Sequence, residues 1–192
     1  MPQLADEVVV GSNGSVYVAP VGTALPTNIA GALNAAFKEL GYVSEDGITF
    51  TNGQEVEDIL AWQSFYPLRK VITSKTTSVQ FVLRQWNEDT VKLAFGGGTI
   101  SRTAGITTYT PPDPSTLDER AMIITWIDGS ENYRLVIPRG LVTGEVESNV
   151  VRSAAADLPI SFDVTPSGIA VAGQLATQPW YLITDSTAFV LT

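Results

Sequence analysis

Two hydrophobic periodicities meet between residues 76 and 98, and their contrast constrains the fold of the whole chain. Over residues 76–84, Thr77, Val79, Phe81 and Leu83 fall on one parity and Thr76, Ser78, Gln80 and Arg84 on the other, with Val82 the exception. A period of two over this length predicts a half-buried strand. The period then changes. Asn87 is a good N-cap, Glu88 and Asp89 complement the positive end of a helix, and Val91, Ala94 and Phe95 repeat at i, i+3 and i+4 as one apolar stripe. Gly96 supplies the left-handed residue that stops a helix. Residues 87–95 are the one helix the pattern supports. The expected fold is therefore mainly β, dominated by antiparallel structure with one α-helix.

The other segments fit that frame unevenly. Val8–Val10 and residues 15–19 are short β-rich runs around the open turn 11–14. Residues 29–40 could form a turn or two of helix, but Gly31 and wide apolar spacing argue against more. Glu45, Asp46 and Gly47 suggest a tight turn between two short strands, because Asp-Gly favours one. Residues 54–62 read as a strand polar at one end and apolar at the other. Pro67 cannot donate to a ladder, so residues 64–74 read as a loop carrying Phe65, Tyr66, Pro67, Arg69 and Lys70. Residues 120–127 and 132–137 form a hairpin through residues 128–131. Residues 141–147 and 158–165 are two further strands, the second alternating Leu158, Ile160, Phe162 and Val164 against Ser161, Asp163 and Thr165. From Pro166 the pattern fades. With 192 residues one domain is expected: a strand and arm over 1–40, the β-sandwich over 41–166, and a C-terminal strand or arm over 167–192.

Chemistry is notable for what is missing. The chain has no histidine and no cysteine, which removes Ser-His-Asp triads, thiolate chemistry, disulfides and the commonest metal ligands. Gly96, Gly97 and Gly98 are not followed by Lys-Ser or a helix, so they are a helix stop and not a phosphate loop. Two carboxylates would suffice for glycoside hydrolysis, yet Glu55, Glu57 and Asp58, or Glu145 with Glu147, read better as solvated strand faces. Four tryptophans, Trp62, Trp86, Trp126 and Trp180, leave open a carbohydrate-binding or adhesive β-sandwich of a virion. A carboxylate hydrolase is the weaker rival. No catalytic, cofactor-binding or metal site is expected. The net charge of −9 disfavours gripping a polyanion. The first residues lack a basic segment followed by an apolar run, so no signal peptide is expected, and no apolar stretch approaches a membrane span.

The order of features over residues 41–98 resembles the major tail protein, or tail tube subunit, of long-tailed bacteriophages. The motifs that carry the likeness are SEDG before the first strand, AWQ at the end of the next, and the strand-to-helix junction LRQWNED. The resemblance implies an antiparallel β-sandwich or barrel with one flanking α-helix, and a structural, non-enzymatic protein of the virion tail, assembled in the host cytoplasm. It further implies hexameric rings stacked into a tube whose acidic, polar lumen passes DNA without binding it. The implied partners are copies of the chain itself and the tape measure, tail tip and tail terminator proteins, with no membrane and no cofactor. By the same likeness, residues 54–62 and 76–84 would be lumen strands and residues 64–74 the loop reaching the next ring. The polar parities then nominate Thr76, Ser78, Gln80, Thr143, Glu145, Glu147, Ser161, Asp163 and Thr165 as lumen-facing.

Overall fold

The structure, a computed structural model, describes residues 8–168 and 176–189. Strands β1 (Asn13–Pro20), β2 (Lys38–Glu39), β3 (Val43–Ile59) and β4 (Arg69–Leu83) precede helix α1 (Glu88–Ala94). The strands β5 (Thr99–Thr103), β6 (Ile106–Thr110), β7 (Arg120–Asp128), β8 (Glu131–Val142), β9 (Leu158–Val164) and β10 (Tyr181–Thr184) follow. All pairings are antiparallel; eight strands form one sheet in the order β2-β1-β7-β8-β9-β4-β3, with β10 added beside β8. β5 and β6 make a separate hairpin. Among the described residues the fold is mainly β and antiparallel with one α-helix, as expected.

One sheet builds a sandwich because it curls. Val16 and Val18 of β1 share a core with Val79, Phe81 and Leu83 of β4, although three strands separate β1 from β4 in the sheet. Only a sheet folded back over itself brings those side chains together. Met122, Ile124, Leu135, Ile137, Leu158, Ile160 and Phe162 complete that core, as the alternation in β9 predicted. At Gly140 the two strands touch: a Cβ there would meet the Phe162 ring and lie 2.5 Å from the Asp163 carbonyl oxygen.

The outer face of β1, β7 and β8 is covered as well. Ala19, Ala121, Ile123 and Val136 pack with Phe37 and Tyr181, flanked by Leu25 and Leu33. This explains the unbroken apolar run from Ala121 to Ile124, which is buried on both faces. The segment that covers them contains no helix. Asn28 Oδ1 accepts from the Gly31 amide and Asn34 Oδ1 from the Ala36 amide, local bonds that compete with helical ones. Arg134, 9% exposed, anchors this cover by donating to the carbonyls of Asn28 and Gly31 at 2.8 and 3.3 Å.

The helix starts where expected. Asn87 Oδ1 accepts from the amides of Asp89 and Thr90, and Thr90 Oγ1 accepts from the Asn87 amide, closing a capping box. Its buried residues are Thr90, Leu93 and Ala94; of the expected Val91, Ala94, Phe95 stripe Ala94 is buried, Val91 is half-buried, and Phe95 is the exposed C-cap. Gly96 follows at φ 72°.

Several boundaries differ from the sequence reading: Val8–Val10 is not a strand, and the strand read over residues 54–62 ends at Ile59. Glu45, Asp46 and Gly47 do not make a tight turn: residues 44–47 bulge out of a continuous β3 opposite Val82, between the pairs Val43↔Leu83 and Ile48↔Phe81. β4 begins at Arg69, so the loop is residues 60–68 and not 64–74. β8 runs past Pro138, which is tolerated because it sits in a bulge opposite Ala121 where no ladder bond is required. No strand covers 143–147, because Gly144 and the polar residues after it leave the sheet at Val142.

Candidate functional site

Two surfaces stand out, and both grow from the β3–β4 hairpin. β3 has 17 residues and β4 has 15, well beyond the usual five or six. Only their base packs on the core. At the last buried position Thr77 donates from Oγ1 to Asn52 Oδ1 at 3.0 Å, and between Thr77 and its partner Asn52 no further residue out to the tip is buried. The two strands continue as a ribbon, with Thr73 bulged between the pairs Glu55↔Ser74 and Val56↔Ile72.

The ribbon ends in residues 60–68, LAWQSFYPL, which carry no charge. Leu60, Trp62, Phe65, Tyr66 and Leu68 are all exposed, Trp62 at 99% and Phe65 at 106%. Behind them Val56, Ile59, Val71 and Ile72 are also exposed. Apolar surface on this scale in one projecting element marks a contact site. Of the residues nominated from sequence, Phe65, Tyr66 and Pro67 lie in this tip, whereas Arg69 and Lys70 lie on β4, where Lys70 pairs with Asp58 at 2.8 Å.

The second surface is the outward face of β3, β4 and β9. The pairing aligns Thr49, Gln80 and Ser161 in one row and Thr51, Ser78 and Asp163 in the next. Thr76 continues the face opposite Gly53. Thr143 joins it from the end of β8, its amide donating to the Ser161 carbonyl and its Oγ1 to Asp163 Oδ2 at 2.8 Å. Ser78, Gln80, Thr76, Ser161, Asp163 and Thr143 are thus brought together as hydroxyls, an amide and one carboxylate. Glu145 and Glu147 are exposed but lie beyond the strand, and Thr165 follows the end of β9, its amide bound to the Arg139 carbonyl. The sequence reading missed Thr49 and Thr51, although they alternate with Ile48 and Phe50 in the same way.

The residues weighed for chemistry are dispersed. Asp58 is paired with Lys70, and Glu55 accepts from Ser74 at 2.9 Å on the exposed ribbon. Among the described residues no group of acids is placed to hold a metal. Trp126 stacks on Tyr133 with ring centroids 5.2 Å apart, Trp180 meets Phe50 edge-on, and Trp86 donates to the Ala156 carbonyl. Trp62 alone stands free of the body.

Strand β10 is fastened by carboxylates at the β7–β8 turn. Asp185 accepts from the amide and side chain of Asn132, and these bonds hold its carboxyl below the ordinary range. Hydrogen bonds from Ser186 and then Tyr133 do the same for Glu131. Burial pushes the Tyr181 hydroxyl up to about 12, and that hydroxyl donates to the Pro26 carbonyl at 2.9 Å.

Polar and apolar surfaces are thus laid out along one long hairpin of a β-sandwich. The chain belongs to the phage tail tube protein family, whose pattern it matches over residues 1–177. It is a structural tail tube protein, a component of the virion tail. Among solved structures it is similar to a chain of an extracellular contractile injection system, the PVC sheath–tube complex in its extended state. The identity is 8%, 95% of each chain is covered, and the TM-score is 0.41. A comparison with curated proteins gives no match.

Proposed function

We propose that this chain polymerises as hexameric rings that stack into the tail tube, with the face of β3, β4 and β9 turned to a channel through which DNA passes. The observation that carries the reading is the β3–β4 hairpin. β3 is the outermost strand of its sheet, 17 residues long, and beyond the core it has only β4 beside it. A two-stranded ribbon is marginal in water by itself, and a long unpaired edge templates association. Joining that edge to a neighbour in a ring removes it.

The same alternation that buries Val79, Phe81, Ile160 and Phe162 turns Ser78, Gln80, Ser161 and Asp163 outward. A channel wall of short hydroxyls with Asp163 among them offers phosphate little to hold, since Arg84, on the same parity, already faces Asp157 at 3.6 Å, in keeping with the net charge of −9. The protein acts as a wall and not as an enzyme. Its partners are copies of itself and the tape measure, tail tip and tail terminator proteins, met during assembly in the host cytoplasm. Electron microscopy of the purified protein tests this: rings or tubes with six-fold symmetry are expected. Dispersed monomers at high concentration would overturn the reading.

A further inference from the structure

The curled sheet does not close. β2 and β3, the outermost strands of the sheet, are not hydrogen-bonded to each other. Between them opens a cleft of about 1220 Å³ whose apolar lining includes Ile124, Trp126 and Leu135, with Leu182 beside Leu135 on the neighbouring strand and Phe50 in edge-on contact with Trp180. This is larger than the roughly 300–1,000 Å³ of small-molecule pockets, and Glu39 is the one charged residue among its described lining. The cleft suits a polypeptide segment that is apolar and uncharged, since a charge buried there would lack a partner.

The chain displays such a segment in the 60–68 tip. The tip is uncharged, ends at Arg69, and Arg69 has no ion-pair partner among the described residues. The tip cannot fill the cleft of its own chain. β3 runs from Phe50, in the cleft wall, to Ile59 at the base of the tip, roughly 30 Å of extended strand at about 3.3 Å per residue, and Trp62 and Phe65 are fully exposed. A donor and an acceptor held apart on one molecule join copies head to tail, the arrangement that propagates as a filament unless rotation closes it.

We propose that the 60–68 tip of one copy docks in the β2–β3 cleft of the next copy along the tube, with Arg69 of the first reaching Glu39 of the second. The inference deepens the tube reading above by naming the receptor of the stacking contact. It places Trp62 and Phe65 against Trp126, Trp180 and Leu182, and it joins two surfaces that would otherwise both stay wet.

The absence of native cysteine makes the contact directly testable. Phe65→Cys and Leu182→Cys chains are mixed under mild oxidation, with Phe65→Cys and Thr108→Cys as the control pair, Thr108 being exposed on the β5–β6 hairpin. The expected result is an intermolecular disulfide at least about tenfold more abundant than in the control, and a ladder of multimers when both cysteines share a chain. Yields equal to the control, or an intramolecular disulfide in the double variant, overturn the proposal. So does preferential capture of Leu182→Cys by Leu4→Cys in the same chain, which assigns the cleft to the N-terminal segment. Micrographs of the same samples separate the two claims: tubes without the 65–182 product overturn the cleft contact and leave the tube standing. Arg69→Glu should abolish elongation and Glu39→Arg should restore it in the double variant; failure of that rescue overturns the ion pair.

Discussion

Phe162 and Gly140 show how closely single residues are fitted in this sandwich. Phe162 is fully buried, and its ring occupies the space a side chain at position 140 would need. Gly140→Ala should cost about 1–3 kcal/mol, because the added methyl must displace both a core ring and a backbone carbonyl. Urea unfolding would report it as a lowered midpoint with unchanged slope; an unshifted midpoint would show that the strands are free to part there. Tyr181 makes a second residue-scale case. Its hydroxyl ionises at about 12 when folded against an ordinary value of 10.0. The folded state therefore holds the proton more tightly, and the associated stability is complete below pH 10 and is lost as pH rises toward 12. Tyr181→Phe should flatten that alkaline decline in a plot of unfolding midpoint against pH. An identical decline in the variant would mean that other groups cause it.

At the scale of elements, the hairpin divides into a base that the core holds and a ribbon that it does not. Trp62→Ser with Phe65→Ser should leave the subunit folded, since both rings are exposed and contribute nothing to its core. Deleting residues 60–68 in favour of a two-residue turn should behave alike. Circular dichroism and melting temperature are expected to match the parent while tubes fail to elongate. Normal tubes from either variant would refute a stacking role for the tip.

Elements were legible in the sequence to the degree that each was half-buried. β9 and the inner part of β4 alternate because one face meets the core and the other does not. α1 was legible through its cap at Asn87, less so through its stripe, since so short a helix buries Thr90 and Leu93 in place of Phe95. The outer halves of β3 and β4 have no buried face in the single subunit, so Glu55, Glu57 and Asp58 follow no alternation and the strand looked broken. The cleft was invisible because its walls come from β1, β3, β7, β8 and β10, brought together only when the sheet curls.

For the whole molecule the question is what an acidic chain gains by lining a tube. The proposed channel face carries hydroxyls from β3, β4 and β9 with Asp163 among them, while Glu145 and Glu147 lie on the exposed segment that leaves β8 beside it. A polyanion near such a wall finds repulsion and no counterion to release, so it slides. Reversing those three charges changes the sign of the interaction without touching the core. Glu145→Lys and Glu147→Lys fall on exposed positions, where substitutions usually cost less than about 0.5 kcal/mol. Asp163→Lys gives up the bond to Thr143 Oγ1 as well, a further cost of about 1 kcal/mol. The triple variant should therefore fold and form tubes. Each subunit contributes three new cations, so rings of them would bind phosphate multivalently, and DNA should be retained by the tubes at low salt and released as salt is raised. The measurement is DNA co-sedimenting with assembled tubes across a salt series, with nuclease added to digest whatever lies outside. DNA that nuclease removes completely would place these side chains on the outer wall, and no retention at any salt would sink the channel assignment altogether.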